Sequence, residues 1–137
     1  MLSIGEMSRR TGVKVPTIRF YEGKGLLSPA ARTEGNQRRY DQAALTRLSF
    51  IRHARDLGLP LEDIAALISL ERAEGTALDR AHDIARRQQA RLRDRIARLE
   101  RLERELDRIA GACDGQHDQS CAVLHAFSDH GPCAGPH

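Results

Sequence analysis

Tryptophan is missing from this 137-residue chain, and its aromatic complement amounts to two tyrosines and three phenylalanines. So sparse a set limits the hydrophobic core to a modest one built mainly on aliphatic side chains. Long apolar runs are missing too. None approaches the ~20 residues that a bilayer-spanning helix requires, and nothing resembles a secretory leader. The expectation is a cytosolic protein with no membrane partner, in which thiols stay reduced. Cysteine is absent from the first 112 residues, and the three that follow, at positions 113, 121 and 133, are an odd number. A disulfide framework is therefore disfavoured. Outside the tail there is no plausible nucleophile or acid–base constellation, which argues against an enzyme.

What is present is unevenly distributed. The formal net charge is only +3. Residues 1–60 nevertheless carry eleven Lys/Arg against five Asp/Glu, a balance of +6, whereas residues 61–137 carry eleven against fourteen, a balance of −3. A basic first half joined to a neutral-to-acidic remainder suggests a module for a polyanion attached to something else.

The first sixty residues read as short helices separated by turn residues. Ser3 and Glu6 have the spacing of a capping box, opening a helix through Arg10. Thr11-Gly12-Val13 breaks it, and Pro16 suits the first turn of a second helix, from Val15 to about Lys24. Two short helices around a tight glycine turn make a helix-turn-helix, with Ile4, Met7, Val13, Ile18 and Leu26 as its small core. Residues 27–40 contain Pro29, Gly35 and Asn36 among arginines, which predicts a basic β-hairpin, or wing. Asp41 is placed to cap a third helix reaching about Leu57, with Ala44, Leu45, Leu48, Ile51 and Ala54 on one face. Gly58-Leu59-Pro60 stops it, and a fourth helix follows from Leu61 to about Leu70.

Thr76 and Asp79 suggest another capping box, opening a long helix to about Ala112. Its apolar positions Leu92, Ile96, Leu99, Leu102, Leu106 and Ile109 form a narrow stripe on an otherwise charged rod. Ala85, Leu92, Leu99, Leu106 and Cys113 fall a heptad apart. A seam this narrow fits a coiled-coil contact between two copies, so residues 78–112 are expected to build a homodimer.

A helix-turn-helix followed by a basic hairpin has a physical use. Its second helix can enter the major groove of double-stranded DNA while the hairpin lies along the phosphates. Lys14, Thr17, Arg19 and Tyr21 lie on or just before that helix, and Arg32, Asn36, Arg38, Arg39 and Tyr40 lie on the hairpin. The segments IGEMSRRTGV (4–13), TIRFYEGKGLL (17–27), RTEGNQRRY (32–40) and LxFIRxARxLGLPL (48–61) strongly resemble the MerR family of bacterial transcription regulators. The resemblance covers the whole chain in layout. It implies a mainly α fold: a winged helix-turn-helix over 1–74, a long antiparallel coiled-coil dimerisation helix over 75–112, and a metal-sensing loop and tail over 113–137. It further implies a homodimer that sits on promoter DNA whose spacer is too long. Effector binding then distorts that DNA so that RNA polymerase can use the promoter. By matching positions, Lys14, Thr17, Arg19 and Tyr21 are carried over as helix contacts, and Arg32, Asn36, Arg38 and Tyr40 as wing contacts.

The tail, CDGQHDQSCAVLHAFSDHGPCAGPH, holds all three cysteines and four of the six histidines. Cys113 and Cys121 flank a short loop containing His117, and two thiolates at the ends of such a loop can meet at one soft ion. AVLHAF could then form a short helix whose Val123, Leu124 and Phe127 pack back onto the protein. His125, His130, Cys133 and His137 follow at the short spacings that zinc sites use. The metal-responsive branch of the resembled family has two cysteines matching Cys113 and Cys121. Its zinc, cadmium, lead and mercury members add a partner-chain cysteine near the start of the long helix, where this chain has Leu78. The copper branch manages with the two loop cysteines, but usually has a small polar residue at that position. His82 or the tail imidazoles could complete a site in place of the missing cysteine. Zn(II) or another divalent ion is the first expectation and Cu(I) the alternative. A thiol-redox sensor of the same fold, pairing Cys113 with Cys121, is a further reading.

Overall fold

The computed structural model describes residues 1–112 and 122–128. Its element order is β1 (Leu2–Ser3), α1 (Ile4–Thr11), α2 (Val15–Gly23), β2 (Ala31–Arg32), β3 (Arg38–Tyr40), α3 (Gln42–Asp56), α4 (Leu61–Ser69), a 3-10 turn (Gly75–Leu78), α5 (Asp79–Gly111) and α6 (Ala122–Ser128). The chain divides into two compact units, Met1–Ala85 and Arg86–His137.

In the first unit the local signals of the sequence become caps. The Ser3 hydroxyl accepts the Glu6 N–H at 3.1 Å, and the Asp41 carboxylate accepts the Ala44 N–H at 2.9 Å. Each satisfies a first-turn donor that the helix itself cannot. Pro16 lies in the first turn of α2, where its missing N–H costs nothing. The turn between α1 and α2 depends on Gly12, whose φ of 75° is left-handed; its N–H donates to the Ser8 carbonyl at 2.8 Å. Thr11 Oγ1 donates to the Met7 carbonyl at 2.8 Å and accepts the Val13 N–H at 3.2 Å. Arg52 of α3 donates to the Thr11 carbonyl, anchoring the turn to the third helix. A Cβ at position 12 would have to adopt a backbone that costs roughly 1–2 kcal/mol for an L-residue. Gly12→Ala is therefore expected to lower the thermal midpoint by at least about 4 °C, measurable by circular dichroism.

The core of this unit gathers residues from every helix in it. Met7, Ile18, Tyr40, Leu48, Ile51 and Ile64 are fully buried, and Val13, Leu26, Leu27, Ala44, Ala54, Leu59 and Ile84 pack with them. Ile4 and Leu45 are only partly buried at its margin. The wing is a three-stranded sheet in the order β1-β3-β2, not the two-stranded hairpin expected. Leu2 pairs with Tyr40 and Ser3 with Arg39, so the segment before α1 ties the wing to the helix-turn-helix. A two-residue strand has no alternation to read, which is why periodicity does not reveal it.

In the second unit, α5 continues to Gly111 as part of a 33-residue helix, about 50 Å long at 1.5 Å per residue. Its start differs from expectation. Thr76 lies inside the 3-10 turn, so it cannot take the extended backbone of an N-cap, and no capping box forms with Asp79. Leu92, Ile96, Leu99 and Leu106 are exposed along α5, Leu99 by 60%, whereas Ile109 is buried. Helix α6 forms after position 121 as expected. Its packing is different: Ala126 is buried and Val123 half-buried, but Leu124 and Phe127 are exposed in the single chain.

Candidate functional site

Helix α2 carries Arg19 on its solvent side, while Ile18 and Tyr21 turn into the core. Lys14 caps the helix with an extended backbone and is exposed; Thr17 is half-buried. The wing tip is shaped by its own hydrogen bonds. The Asn36 N–H donates to the Thr33 carbonyl at 2.8 Å, the Thr33 N–H donates to the Gln37 carbonyl at 2.8 Å, and Thr33 Oγ1 accepts the Gln37 N–H at 3.1 Å. Asn36 has a φ of 62°, a left-handed conformation that asparagine tolerates better than most residues. Arg32 and Asn36 are both exposed there.

Between α2 and the wing lies a cleft of about 380 Å³ lined by Ser3, Ile4, Arg19, Asn36, Gln37, Arg38 and Arg39. Three arginines thus share one concave surface with two amide residues, Asn36 and Gln37, and the start of α1. Among the described residues no carboxylate side chain lines it. That combination suits phosphate oxygens, which guanidinium groups can grip with paired N–H donors. Of the eight residues expected at a DNA interface, Arg19, Asn36 and Arg38 are brought together here. Lys14, Thr17 and Arg32 lie outside the lining. Tyr21 and Tyr40 contribute their rings to the core.

Tyr40 is held inward more completely than its place in the motif suggests. Its hydroxyl donates to Glu22 Oε1, and the other oxygen of the same carboxylate accepts Arg38 Nε–H at 2.6 Å. Burial raises the Tyr40 phenol well above its ordinary range. The hydrogen bond to Glu22 and that group's negative charge add to the rise, against opposing charges on Arg38 and Arg32. Tyr40 therefore stays protonated, and its proton is committed to Glu22. The Glu22 carboxylate, which sequence reading did not single out, joins α2 to β3 across 16 and 18 residues of chain. No local pattern signals a pair so distant.

The expected metal ligands divide differently. Cys113, His117, Cys121, His130, Cys133 and His137 lie outside the described residues. His82, in the first turns of α5, and His125, in α6, are both exposed. Among the described residues no group of three or more His, Cys, Asp or Glu side chains could hold a metal ion. A donor set of thiols and imidazoles, as the sequence leads one to expect, would suit a soft or borderline cation. The placement of the two loop cysteines is informative in itself. Cys113 comes two residues after the last residue of α5, and Cys121 immediately precedes the first residue of α6. Among the described residues no helix is long and apolar enough to cross a membrane.

A capped helix-turn-helix, a sheet-tethered wing with a cationic cleft between them and a long charged helix define a winged helix-turn-helix protein. The description "MerR HTH family regulatory protein" matches residues 2–71, and "MerR, DNA binding" matches residues 45–109. The chain is 36% identical over 128 residues to the heavy metal-dependent transcription regulator 2 of Rhizobium meliloti (strain 1021), covering 93% of this chain and 87% of the relative. It is 36% identical over 135 residues to the mercuric resistance operon regulatory protein of Pseudomonas fluorescens, covering 98% of this chain and 92% of the relative. The crystal structure of a transcription regulator from Ralstonia metallidurans CH34 in complex with lead(II) superposes with a TM-score of 0.76 at 35% identity, covering 93% of this chain and 99% of that one. The chain belongs to the MerR family, whose members are transcriptional regulators and not enzymes.

Proposed function

We propose that a homodimer of this chain binds double-stranded promoter DNA and couples a thiophilic metal ion to transcription through the segment between α5 and α6. The observation that carries the DNA half is the cleft that gathers Arg19 with Asn36 and Arg38. Arg19 reaches the duplex from α2, and the wing residues Arg32, Asn36 and Arg38 follow the phosphates, with Lys14 and Thr17 at the start of the helix. Tyr21 and Tyr40 act by supporting this surface from beneath. The exposed row Leu92, Ile96, Leu99 and Leu106 supports dimerisation, since a monomer seldom leaves a continuous apolar stripe in water.

For the metal half, relatives that respond to heavy metals or mercury, and one solved with lead(II), support a sensing role. Cys113 and Cys121 are the proposed thiolate ligands, with His82, His117, His125, His130, Cys133 and His137 as candidates to complete the site. Zn(II) is the proposed effector and Cu(I) the alternative. A bound cation supplies a positive centre that stabilises two thiolates side by side. Because the two cysteines lie in sequence just after α5 and just before α6, drawing their sulfurs together would restrict where α6 can sit. The dimer then favours a different shape of the promoter, one that RNA polymerase can use. Such a switch works only through a difference in affinity between the two DNA shapes. Arg19→Ala is expected to weaken operator binding roughly 10- to 100-fold, as loss of a charge-assisted contact should. Fluorescence anisotropy reads this, and chelator competition should show metal affinity unchanged. Equal operator affinity in the variant would remove α2 from the interface.

A further inference from the structure

We propose that Glu22 is a positioning residue for DNA recognition, holding the Arg38 guanidinium so that its outer nitrogens face the cleft. The inference rests on the DNA-binding reading above and adds to it a residue that need not touch DNA. The Glu22 side chain is only 10% exposed, and a buried carboxylate is costly unless both oxygens are satisfied. Here each oxygen has its own donor: Oε2 accepts Arg38 Nε–H at 2.6 Å, and Oε1 accepts the Tyr40 hydroxyl. Both donors come from β3, whereas Glu22 belongs to the last turn of α2. One side chain therefore locks the wing to the helix that carries Arg19.

The choice of nitrogen matters. Arg38 spends Nε on Glu22, and among the described residues neither Nη group has a hydrogen-bond partner. Arg38 lines the cleft beside Arg19, Asn36 and Arg39. Its two Nη groups are thus left for an anion while the guanidinium plane is already fixed, which removes part of the ordering cost of binding. Glu22 does not line the cleft. Tyr40 completes the arrangement: its fully buried ring and committed hydroxyl leave the carboxylate one free edge, which Arg38 takes.

The proposal makes a prediction opposite in sign to simple electrostatics. A carboxylate near a polyanion repels it, so charge alone predicts that Glu22→Gln binds DNA more tightly. Positioning predicts weaker binding. The test uses the full-length protein and a duplex recovered by in vitro selection with the wild type, with affinity measured by anisotropy between about 50 and 200 mM salt. Glu22→Gln is expected to bind about tenfold more weakly, with the log–log salt slope reduced by about one, the signature of one lost phosphate contact. Arg38→Lys, which keeps the charge but cannot donate through Nε and still present a planar pair, should lose a similar amount. The double variant should lose little more, because both changes remove the same contact. Tighter or unchanged binding by Glu22→Gln overturns the proposal. So does weaker binding with an unchanged slope, which marks a loss of folded protein only. Should Glu22→Gln fail to fold, Arg38→Lys decides alone, and wild-type affinity there overturns the proposal, whatever its slope, because lysine keeps the charge. If the wild type selects no duplex, the DNA-binding reading itself falls and takes this inference with it.

Discussion

Cys113→Ser is expected to abolish metal-induced transcription while leaving operator binding within about twofold of wild type, a separation expected of sites that share no residues. The reason lies in where the residue falls. It follows the last turn of α5, outside the unit that contains the cleft of Arg19, Asn36 and Arg38. Serine keeps nearly the same volume but offers a hard, neutral oxygen in place of a thiolate. Loss of even an outer hydrogen-bond partner of a metal ligand costs about 10- to 100-fold in affinity, so losing a sulfur ligand should exceed that. A reporter assay with added metal and a gel shift on the same preparation separate the two effects. Loss of both activities together would assign Cys113 to folding instead. A variant that still responds to metal at wild-type concentrations would remove it from the sensing site.

The second large effect concerns the exposed stripe on α5. Leu99 is 60% exposed in the single chain, so Leu99→Asp should leave each folded chain intact. In a dimer the same change puts one carboxylate per chain into the seam. Burying a leucine contributes roughly 1.5–3 kcal/mol, and two copies are lost at once. The dimer dissociation constant should therefore rise by two to four orders of magnitude or so, before the cost of burying the charges is added. Sedimentation velocity would show a monomer at concentrations where the wild type is a dimer. Operator affinity should fall with it, because a monomer holds only one cleft. A dimer of unchanged stability would place the interface away from Leu92, Ile96, Leu99 and Leu106.

Features that depend on neighbours in sequence were legible, and those that depend on distant partners were not. The Ser3 and Asp41 caps, the first-turn proline of α2 and the Gly12 turn each follow from chemistry within four residues, and each forms. Among the described residues, however, the Glu6 carboxylate does not return a bond to Ser3, and the expected capping box is only half made. The apolar face of α3 is likewise a matter of spacing, and Leu48 and Ile51 are fully buried as that spacing predicts. Strand β1 was hidden because two residues carry no period; it exists because β3 lies beside it. The Thr76–Asp79 pattern misled because a 3-10 turn could satisfy the same segment. Among the residues proposed for the DNA interface, Arg19, Asn36 and Arg38 could be chosen by charge and by the family motif. Glu22 could not, since its partners lie 16 and 18 positions away. The motif offers Tyr40 as a contact, and the structure adds that its hydroxyl donates to that same carboxylate.

The most direct test of a thiolate-based metal switch is X-ray absorption at the metal edge of the purified, zinc-loaded protein under reducing conditions. The prediction is a sulfur shell at about 2.3 Å from Cys113 and Cys121, accompanied by nitrogen at about 2.0–2.1 Å from histidine, with the sulfur shell diminished in Cys113→Ser. A spectrum with light-atom ligands alone, identical in the wild type and the variant, would contradict it.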